Sequence, residues 1–212
     1  MDTLEYRLFH RRHLPHYQPE GAIFFITFRL AGSLPQEALA RLLEEAEATA
    51  KVLDGLIDAD ARLCQADLAQ RRMFDKWDTA LADGKYGPLW LQEHGIASLV
   101  ADALHYRNGS VYELHAYCIM PNHVHLVCTP LRTANGYVSL SSILHSLKSY
   151  TAHQANQHIG RNGEFWQHES YDHMVRSDAE LRRVIEYVIN NPVKANLVPD
   201  WESWEWTYCK MD

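Results

Sequence analysis

The stretch YCIMPNHVHLV, residues 117–127, predicts the centre of the fold. Its Pro-Asn pair favours a turn between two apolar runs, which indicates two neighbouring antiparallel strands. Side chains at positions i and i+2 of a strand point to the same face. His123 and His125 are therefore expected side by side on one face of the second strand, while Val124 and Leu126 face a core.

A pair of histidines held in this way has two interpretations. Two imidazoles on one strand face can bind a single metal ion. They can also be surface histidines without a ligand, which is the commoner case for an isolated His-x-His pattern. The pattern of the next helix favours the metal site.

That helix is predicted over residues 139–158, where apolar side chains recur at helical spacing at Leu140, Ile143, Leu144 and Leu147. Continuing the stripe by three and then four residues gives Tyr150 and Gln154, which are expected on the inward face. If that face packs against the histidine strand, a phenol and an amide oxygen lie beside the metal. The alternative is a core tyrosine whose hydroxyl bonds to a nearby group.

Several segments, in consistent order, resemble the REP-associated tyrosine transposases, which belong to the single-tyrosine HUH transposases of bacterial genomes. The resemblance covers nearly the whole chain, and its specificity comes from the order, because each segment alone is a weak signal. The segments near the site are MPNHVH at 120–125, LHSLKSY at 144–150, FWQ at 165–167 and YDH at 171–173. The others are LPHY at 14–17, GPLWL at 87–91 and YVINNPVKA at 187–195.

The resemblance implies a fold, a substrate and a mechanism. The implied fold is an α/β (α+β) ferredoxin-like sandwich, in which helices pack on a central antiparallel sheet. The implied substrate is single-stranded DNA beside short hairpins, and a monomer is favoured over a dimer. Tyr150 would attack the phosphodiester to give a 5′-phosphotyrosyl link, and His123, His125 and Gln154 would hold Mg²⁺ or Mn²⁺. A tyrosine hydroxyl with an ordinary pKa of about 10 is a poor nucleophile at neutral pH, so the charge of the ion is needed at the phosphate.

The net charge is unusual for a DNA-binding protein. The chain has 20 Lys+Arg against 27 Asp+Glu, a formal net charge of -7, whereas a DNA-binding protein usually carries a basic face. Part of the excess is local, because residues 36–84 hold 11 acids and 6 bases, which leaves 16 acids and 14 bases elsewhere. For each basic candidate the alternative is a solvated surface charge, and for the histidine it is a structural role. The candidates for DNA contact are Arg11, Arg12, Lys148, His173, Arg176 and Lys194.

The chain is predicted to form one domain, residues 1–212, because this length with 47% hydrophobic residues can bury one sizeable core. The Ala-, Leu- and Glu-rich segment at about 36–84 predicts a helical insertion. Ser177 and Glu180 form a capping-box pattern that predicts a helix ending before Pro192. The aromatic tail at about 199–212 is expected to pack on the body, although its tryptophans can also stack on unpaired bases.

A cytoplasmic location is predicted from the cysteines and the N-terminus. The four cysteines show no Cys-x-x-Cys pattern, which is typical of reduced thiols. The first residues lack the apolar core of a signal peptide. The apolar run at 22–28 is too short to span a bilayer.

Two other functions remain open. A protein of the same fold can bind nucleic acid without cleaving it, and then no covalent protein–DNA adduct forms. A metal-dependent hydrolase can instead activate a bound water with His123, His125 and a carboxylate. The nearest acids, Glu113 and Glu164, lie outside the motif, and no His-Glu-x-x-His pattern accompanies the pair.

Overall fold

The computed structural model describes residues 21–55, 57–82, 87–134 and 136–210. Contacts divide these residues into two compact units, one of residues 34–82 and one of residues 21–33 and 87–210. The histidine pair belongs to the second unit. Arg11 and Arg12 lie outside the described residues.

The first unit contains two helices, α1 (Gln36–Asp54) and α2 (Ala59–Ala82), which pack against each other. Leu42 and Met73 are buried between them, and Trp77 packs against this pair. An ion pair between Lys76 and Glu45 also links the helices at the surface. Both helices fall within the segment where the sequence predicts helix, and their role as an insertion in one domain stays a prediction.

The second unit is built on an antiparallel sheet. Within the described residues its strands are ordered β6-β1-β3-β2-β7, and β4 and β5 form a separate two-stranded hairpin. The predicted α/β class with a central antiparallel sheet and packed helices is confirmed. The strands are β1 (Ile23–Arg29), β2 (Tyr112–Ile119), β3 (His123–Pro130), β4 (Arg132–Thr133), β5 (Gly136–Tyr137), β6 (Tyr171–Val175) and β7 (Thr207–Cys209). The helices are α3 (His94–Arg107), α4 (Leu140–His158), α5 (Asp178–Ile189) and α6 (Asn191–Lys194).

The two faces of this sheet carry different side chains. In the register of β1 and β3, Thr27 pairs with His125 and Ile26 pairs with Leu126. Alternation places Ile26 and Leu126 on the face that forms the main core with α3 and α4, here called the core face. Thr27, His123 and His125 lie on the other face, here called the histidine face. Helix α5 packs against β2, β3 and β7, and its tyrosine at 187 contacts His125, so α5 covers the histidine face.

Gly87, in the segment that precedes α3, packs closely against the backbone of Gly32. Gly87 has a φ of +78°, and a Cβ built on it would lie 2.2 Å from the carbonyl oxygen of Gly32. Two backbone segments therefore meet at a distance that only glycine allows.

The aromatic tail packs on the sheet. Trp204 donates a hydrogen bond from Nε1 to the carbonyl oxygen of Ile119, at 3.0 Å. Tyr208 on β7 stacks on Tyr117 of β2, with ring centroids 5.6 Å apart. These contacts extend the sheet by one short strand. Among the described residues, none of the helices combines the length and the hydropathy that a bilayer crossing requires.

Candidate active site

The histidine pair lies at the start of β3, an interior strand hydrogen-bonded to β1 and β2. Both side chains are 0% exposed. The ring of His125 stacks on Phe25, with centroids 5.7 Å apart. The histidines are therefore not surface residues, which excludes the simpler of the two interpretations drawn from the sequence.

Polar partners fix the orientation of both rings. His123 Nδ1 lies 2.6 Å from Asn122 Oδ1, and His125 Nδ1 lies 2.8 Å from Thr27 Oγ1. Because the amide oxygen of Asn122 accepts, His123 Nδ1 donates, and the Nε2 atom of the neutral ring carries the lone pair. The two Nε2 atoms face each other at 3.0 Å.

This geometry suits a shared divalent ion. Imidazole nitrogens bind metals at about 2.1 Å, so two ligand nitrogens 3.0 Å apart can occupy neighbouring positions on one ion. The second nitrogen of each ring is hydrogen-bonded, as is usual for histidine ligands. Imidazoles bind several divalent metals, so the pair does not choose among them.

A buried cation stands beside the pair. Arg29 pairs with His123 in the strand register and is only 3% exposed. Burial lowers the pKa of its guanidinium to about 10, an effect that the charge of Glu169 opposes. A guanidinium remains protonated at neutral pH even so. The site therefore carries positive charge, which suits an anionic substrate.

Tyr150 and Gln154 do not join the histidines. Helix α4 packs on the core face through its buried residues Leu140, Ile143 and Leu147. The histidines point to the opposite side of the sheet. Tyr150 is 48% exposed, and the guanidinium of Arg107 lies 5.8 Å from its ring centroid. Gln154 lines a surface cleft between α3 and α4. The assumption that this helix lies against the histidine strand is thus corrected.

The reason is the phase of the helix. After Leu147 the buried positions are Thr151 and Ala155, both 0% exposed, which are spaced by four and four residues. The hydroxyl of Thr151 donates to the carbonyl oxygen of Leu147 and accepts from Trp166 Nε1, each at 2.8 Å. The inward stripe therefore continues through Thr151, whose hydroxyl is fully hydrogen-bonded, and Tyr150 lies one position away from it.

Another tyrosine occupies the histidine face. Tyr187 on α5 has its ring centroid 5.7 Å from that of His125 and 5.9 Å from that of Phe25, with both contacts edge-on. The ammonium of Lys194 lies 4.2 Å from the Tyr187 ring centroid. The structure thus brings together a phenol, an imidazole and a cation.

Asn191 follows Tyr187 by four residues, so it shares that face of the helical segment. Its side chain is 2% exposed, and its Nδ2 atom has no hydrogen-bond partner among the residues that the structure describes. Rotation about χ2 exchanges the nitrogen and oxygen of the amide. A buried amide beside the phenol can therefore present an oxygen to a ligand.

The remaining candidates lie in different surroundings. Lys148 donates to the carbonyl oxygen of His168 at 3.0 Å and to Ser170 Oγ at 2.8 Å, and burial lowers its pKa to about 8. His173 is buried and bonded to Glu180, so it has a structural contact. Arg176 is exposed next to the start of α5, and Lys194 is the candidate that reaches Tyr187. Contact with DNA stays a prediction for each of them.

The sequence analysis did not single out Tyr187, which lies on the histidine face, or Asn191, which is buried four residues later. Two signals pointed to them: the predicted helix from Ser177 to the residues before Pro192, and the segment YVINNPVKA. A tyrosine and an amide four residues apart at the end of that helix have the same relation as Tyr150 and Gln154. Only the packing of α5 on the histidine face distinguishes the two pairs.

Comparison with known proteins agrees with this fold. Residues 97–191 match the family described as "Transposase IS200 like". A "Putative REP-associated tyrosine transposase" of Haemophilus influenzae is 27% identical over 99 residues, which cover 42% of this chain and 56% of the relative. The chain thus spans only about half the length of this curated relative.

A solved structure shares the fold. It is described as a REP-associated tyrosine transposase bound to a REP hairpin, and the two match with a TM-score of 0.52 and 16% sequence identity. The match covers 93% of this chain and 82% of the other. Together, the comparisons confirm the resemblance to REP-associated tyrosine transposases.

Proposed function

We propose that this protein is a metal-dependent enzyme that cleaves and rejoins single-stranded DNA beside hairpins through a 5′-phosphotyrosine link. Tyr187 is the nucleophile in this proposal. The observation that carries it is the packing of the Tyr187 ring against His125, with Lys194 over the same ring. A nucleophile, a metal-binding pair and a cation then meet on one face of one sheet.

The chemistry balances without a further reactant. The phenol oxygen of Tyr187 attacks the phosphorus and gives up its proton, and the bond from phosphorus to the 3′-oxygen breaks. That oxygen leaves as a 3′-hydroxyl, while the 5′-phosphate stays on the tyrosine. Because the tyrosyl ester keeps the energy of the phosphodiester, a 3′-hydroxyl can attack it and restore the strand.

Each neighbouring side chain has a role. His123 and His125 would hold a divalent ion, and the oxygen of Asn191 is proposed as a further ligand. When bound, the ion offsets negative charge on the phosphate and orients the scissile bond. Lys194 and Arg29 supply positive charge around the phosphate.

Two observations favour Tyr187 over Tyr150 as the nucleophile. Tyr187 contacts His125, whereas Tyr150 lies on a helix of the core face and is 48% exposed. A nucleophile must be held within a few ångströms of the reacting phosphorus. For the same reason Asn191, and not Gln154, is proposed beside the histidines.

Hairpin DNA is the proposed substrate because the similar solved structure is described as bound to a REP hairpin. Single strands beside a hairpin expose unpaired bases and a flexible backbone, which an attack in line with the leaving oxygen requires. Magnesium or manganese is the proposed ion, as the resemblance implies. The monomeric state is also part of the proposal.

The test is adduct formation with two matched variants. A labelled single strand carrying a hairpin from the DNA flanking its own gene is incubated with protein and Mn²⁺, and covalent adducts are separated on a denaturing gel. Tyr187→Phe keeps the ring contacts and removes the attacking oxygen, so we expect no adduct. Tyr150→Phe, the control on α4, is expected to match the wild type.

The other outcomes identify the competing functions. Adduct formation by Tyr187→Phe, but not by Tyr150→Phe, would return the nucleophile to α4. Cleavage without any adduct would indicate a hydrolase that uses bound water. Binding without cleavage, in Mn²⁺ as in excess chelator, would indicate a nucleic-acid-binding protein without activity.

A further inference from the structure

A buried polar cluster joins the end of β6 to the start of α5. His173 on β6 has its Nε2 atom 3.0 Å from Glu180 Oε1, and each side chain is 8% exposed. The second carboxylate oxygen of Glu180 accepts from the backbone N–H of Arg176 at 2.8 Å. The backbone N–H of Glu180 donates to Ser177 Oγ, the helix cap, at 3.2 Å.

These contacts determine the position of Glu180 in several directions. A buried carboxylate is costly unless hydrogen bonds satisfy it. Here one oxygen is bonded to a strand side chain and the other to the backbone ahead of the helix. The carboxylate therefore cannot turn away from the sheet without losing both partners.

Glu180 lies seven residues before Tyr187, which is close to two turns of α5. The two side chains therefore share one face of the helix, about 10 Å apart along its axis. A rotation of α5 that moved Tyr187 across His125 would also pull Glu180 from His173. The helix between them has the intrachain hydrogen bonds of a regular α-helix and transmits that rotation as a rigid unit.

We propose that the His173–Glu180 pair is a positioning device that fixes the rotation of α5 and so aims Tyr187 at the histidine pair. This inference rests on the proposed function of Tyr187. His173 and Glu180 are positioning residues in this proposal, because both side chains are buried and act on Tyr187 through the helix. A clamp at the start of α5 leaves its other end, which leads into α6 and Lys194, available to the DNA.

The kinetic test uses variants of the clamp in the full chain. Glu180→Ala and His173→Ala should slow adduct formation at saturating hairpin DNA by about 10- to 100-fold, because a small misplacement of a reacting group has an effect of that size. The dissociation constant for the hairpin should stay within about twofold of the wild-type value, since both side chains of the clamp are buried. Glu180→Gln keeps one oxygen that can accept from the backbone N–H of Arg176 and places an NH2 group where it can donate to His173 Nε2, so it should recover most of the rate. Glu186→Ala, an exposed position on the same helix, is the control and should react as the wild type.

A second measurement does not depend on activity. Protein labelled with 3-fluorotyrosine gives one ¹⁹F signal for Tyr187, assigned by its loss in Tyr187→Phe. We expect this signal to broaden or shift in Glu180→Ala and to be unchanged in Glu186→Ala. An unchanged Tyr187 signal in folded Glu180→Ala and His173→Ala would overturn the clamp, as would an unchanged rate of adduct formation. If the wild-type protein forms no adduct at all, the proposed function fails, whereas the fluorine signal still decides on the clamp.

Discussion

Single side chains determine how the histidine pair presents its nitrogens. Thr27 Oγ1 lies 2.8 Å from His125 Nδ1 and leaves Nε2 directed at His123. Thr27→Val preserves the shape of the side chain and removes that partner. We expect apparent Mn²⁺ affinity to fall by about 10- to 100-fold, the usual effect of losing a partner of a ligand histidine.

The control for this change is Thr129→Val, farther along β3, the strand of the histidine pair, where the hydroxyl bonds to His115. Its Mn²⁺ affinity should equal that of the wild type, as measured by titration calorimetry on both variants. Equal affinities for Thr27→Val and the wild type would mean that the pair does not hold the ion.

Lys148 predicts a particular pH dependence of stability. Its pKa is lowered from 10.5 to about 8, chiefly by burial. Between these two values the folded state holds fewer protons on this group than the unfolded state, so the contribution of Lys148 to stability rises with pH. Below about 8 the group is protonated in both states, and the cost of burying its charge is fully present.

Comparison with Lys148→Met isolates this effect from that of other groups. The unfolding free energy of the wild type, minus that of the variant, should rise between pH 8 and 10 when both are unfolded in urea. If the unfolding free energies of the wild type and Lys148→Met change in parallel between pH 8 and 10, the Lys148 ammonium is not desolvated in the folded state.

The sequence correctly predicts that His123 and His125 share one face of a strand, because the alternation of side chains along a strand is a local property. The sequence wrongly predicts that Tyr150 continues the inward stripe of α4, whereas Thr151 does so in the structure. Hydropathy does not mark a threonine as a buried residue, so the pattern could not show this. The phase error is a single residue, and a helical stripe allows steps of either three or four. The proposed role of Tyr187 rests on contacts with Phe25 and His125, which lie more than 60 residues away along the chain.

Secondary-structure elements follow the sequence more closely than the site does. The β2–β3 hairpin and the start and end of α5 agree with the predicted signals, and Ser177 caps α5 through Glu180 N–H. The predicted reciprocal contact differs, because the Glu180 carboxylate accepts from Arg176 and not from Ser177. The position of β1 between β3 and β6 cannot be predicted from local sequence patterns, since Thr27 pairs with His125 and with Tyr171, which are 98 and 144 residues away along the chain.

The turn at Gly87 gives a prediction for the element that it positions. Gly87→Ala adds a Cβ at a φ of +78°, against the carbonyl oxygen of Gly32. We expect a loss of at least about 1–2 kcal/mol from the positive φ alone, with a further loss from the overlap. Thermal and urea unfolding of the wild type and the variant measure the total loss of unfolding free energy.

Gly109→Ala is the matched control. Gly109 has a φ of +77°, and a Cβ on it would meet nothing within 4 Å. Its substitution therefore reports the cost of the backbone conformation alone. Equal losses for the two variants would mean that the contact with Gly32 is not close in solution.

The whole molecule combines a positively charged site with a negative net charge. The chain has a formal net charge of -7, whereas the histidine face carries Arg29 and Lys194. Unspecific attraction to duplex phosphates should therefore be weak, and affinity should come from unpaired bases and hairpin shape. We expect a hairpin-bearing single strand to outcompete its perfect duplex in a filter-binding assay, with a shallow dependence on salt. Equal competition by the duplex would contradict this.

The arrangement of the sheet separates two tyrosines that the sequence makes alike. Tyr187 lies on the histidine face, and Tyr150 belongs to a helix of the core face. Trypsin places them in different peptides, residues 184–194 and residues 149–161, each with a single tyrosine. The attachment site of DNA can therefore be identified directly.

Mass spectrometry of the trapped adduct tests most directly whether Tyr187 is the nucleophile. Wild-type protein is incubated with hairpin DNA and Mn²⁺, the adduct is digested with nuclease and trypsin, and the peptide that carries the residual nucleotide is sequenced. We expect a 5′-phosphonucleotide on Tyr187 in residues 184–194, with residues 149–161 unmodified. Attachment to Tyr150, or to any residue other than Tyr187, would contradict this assignment.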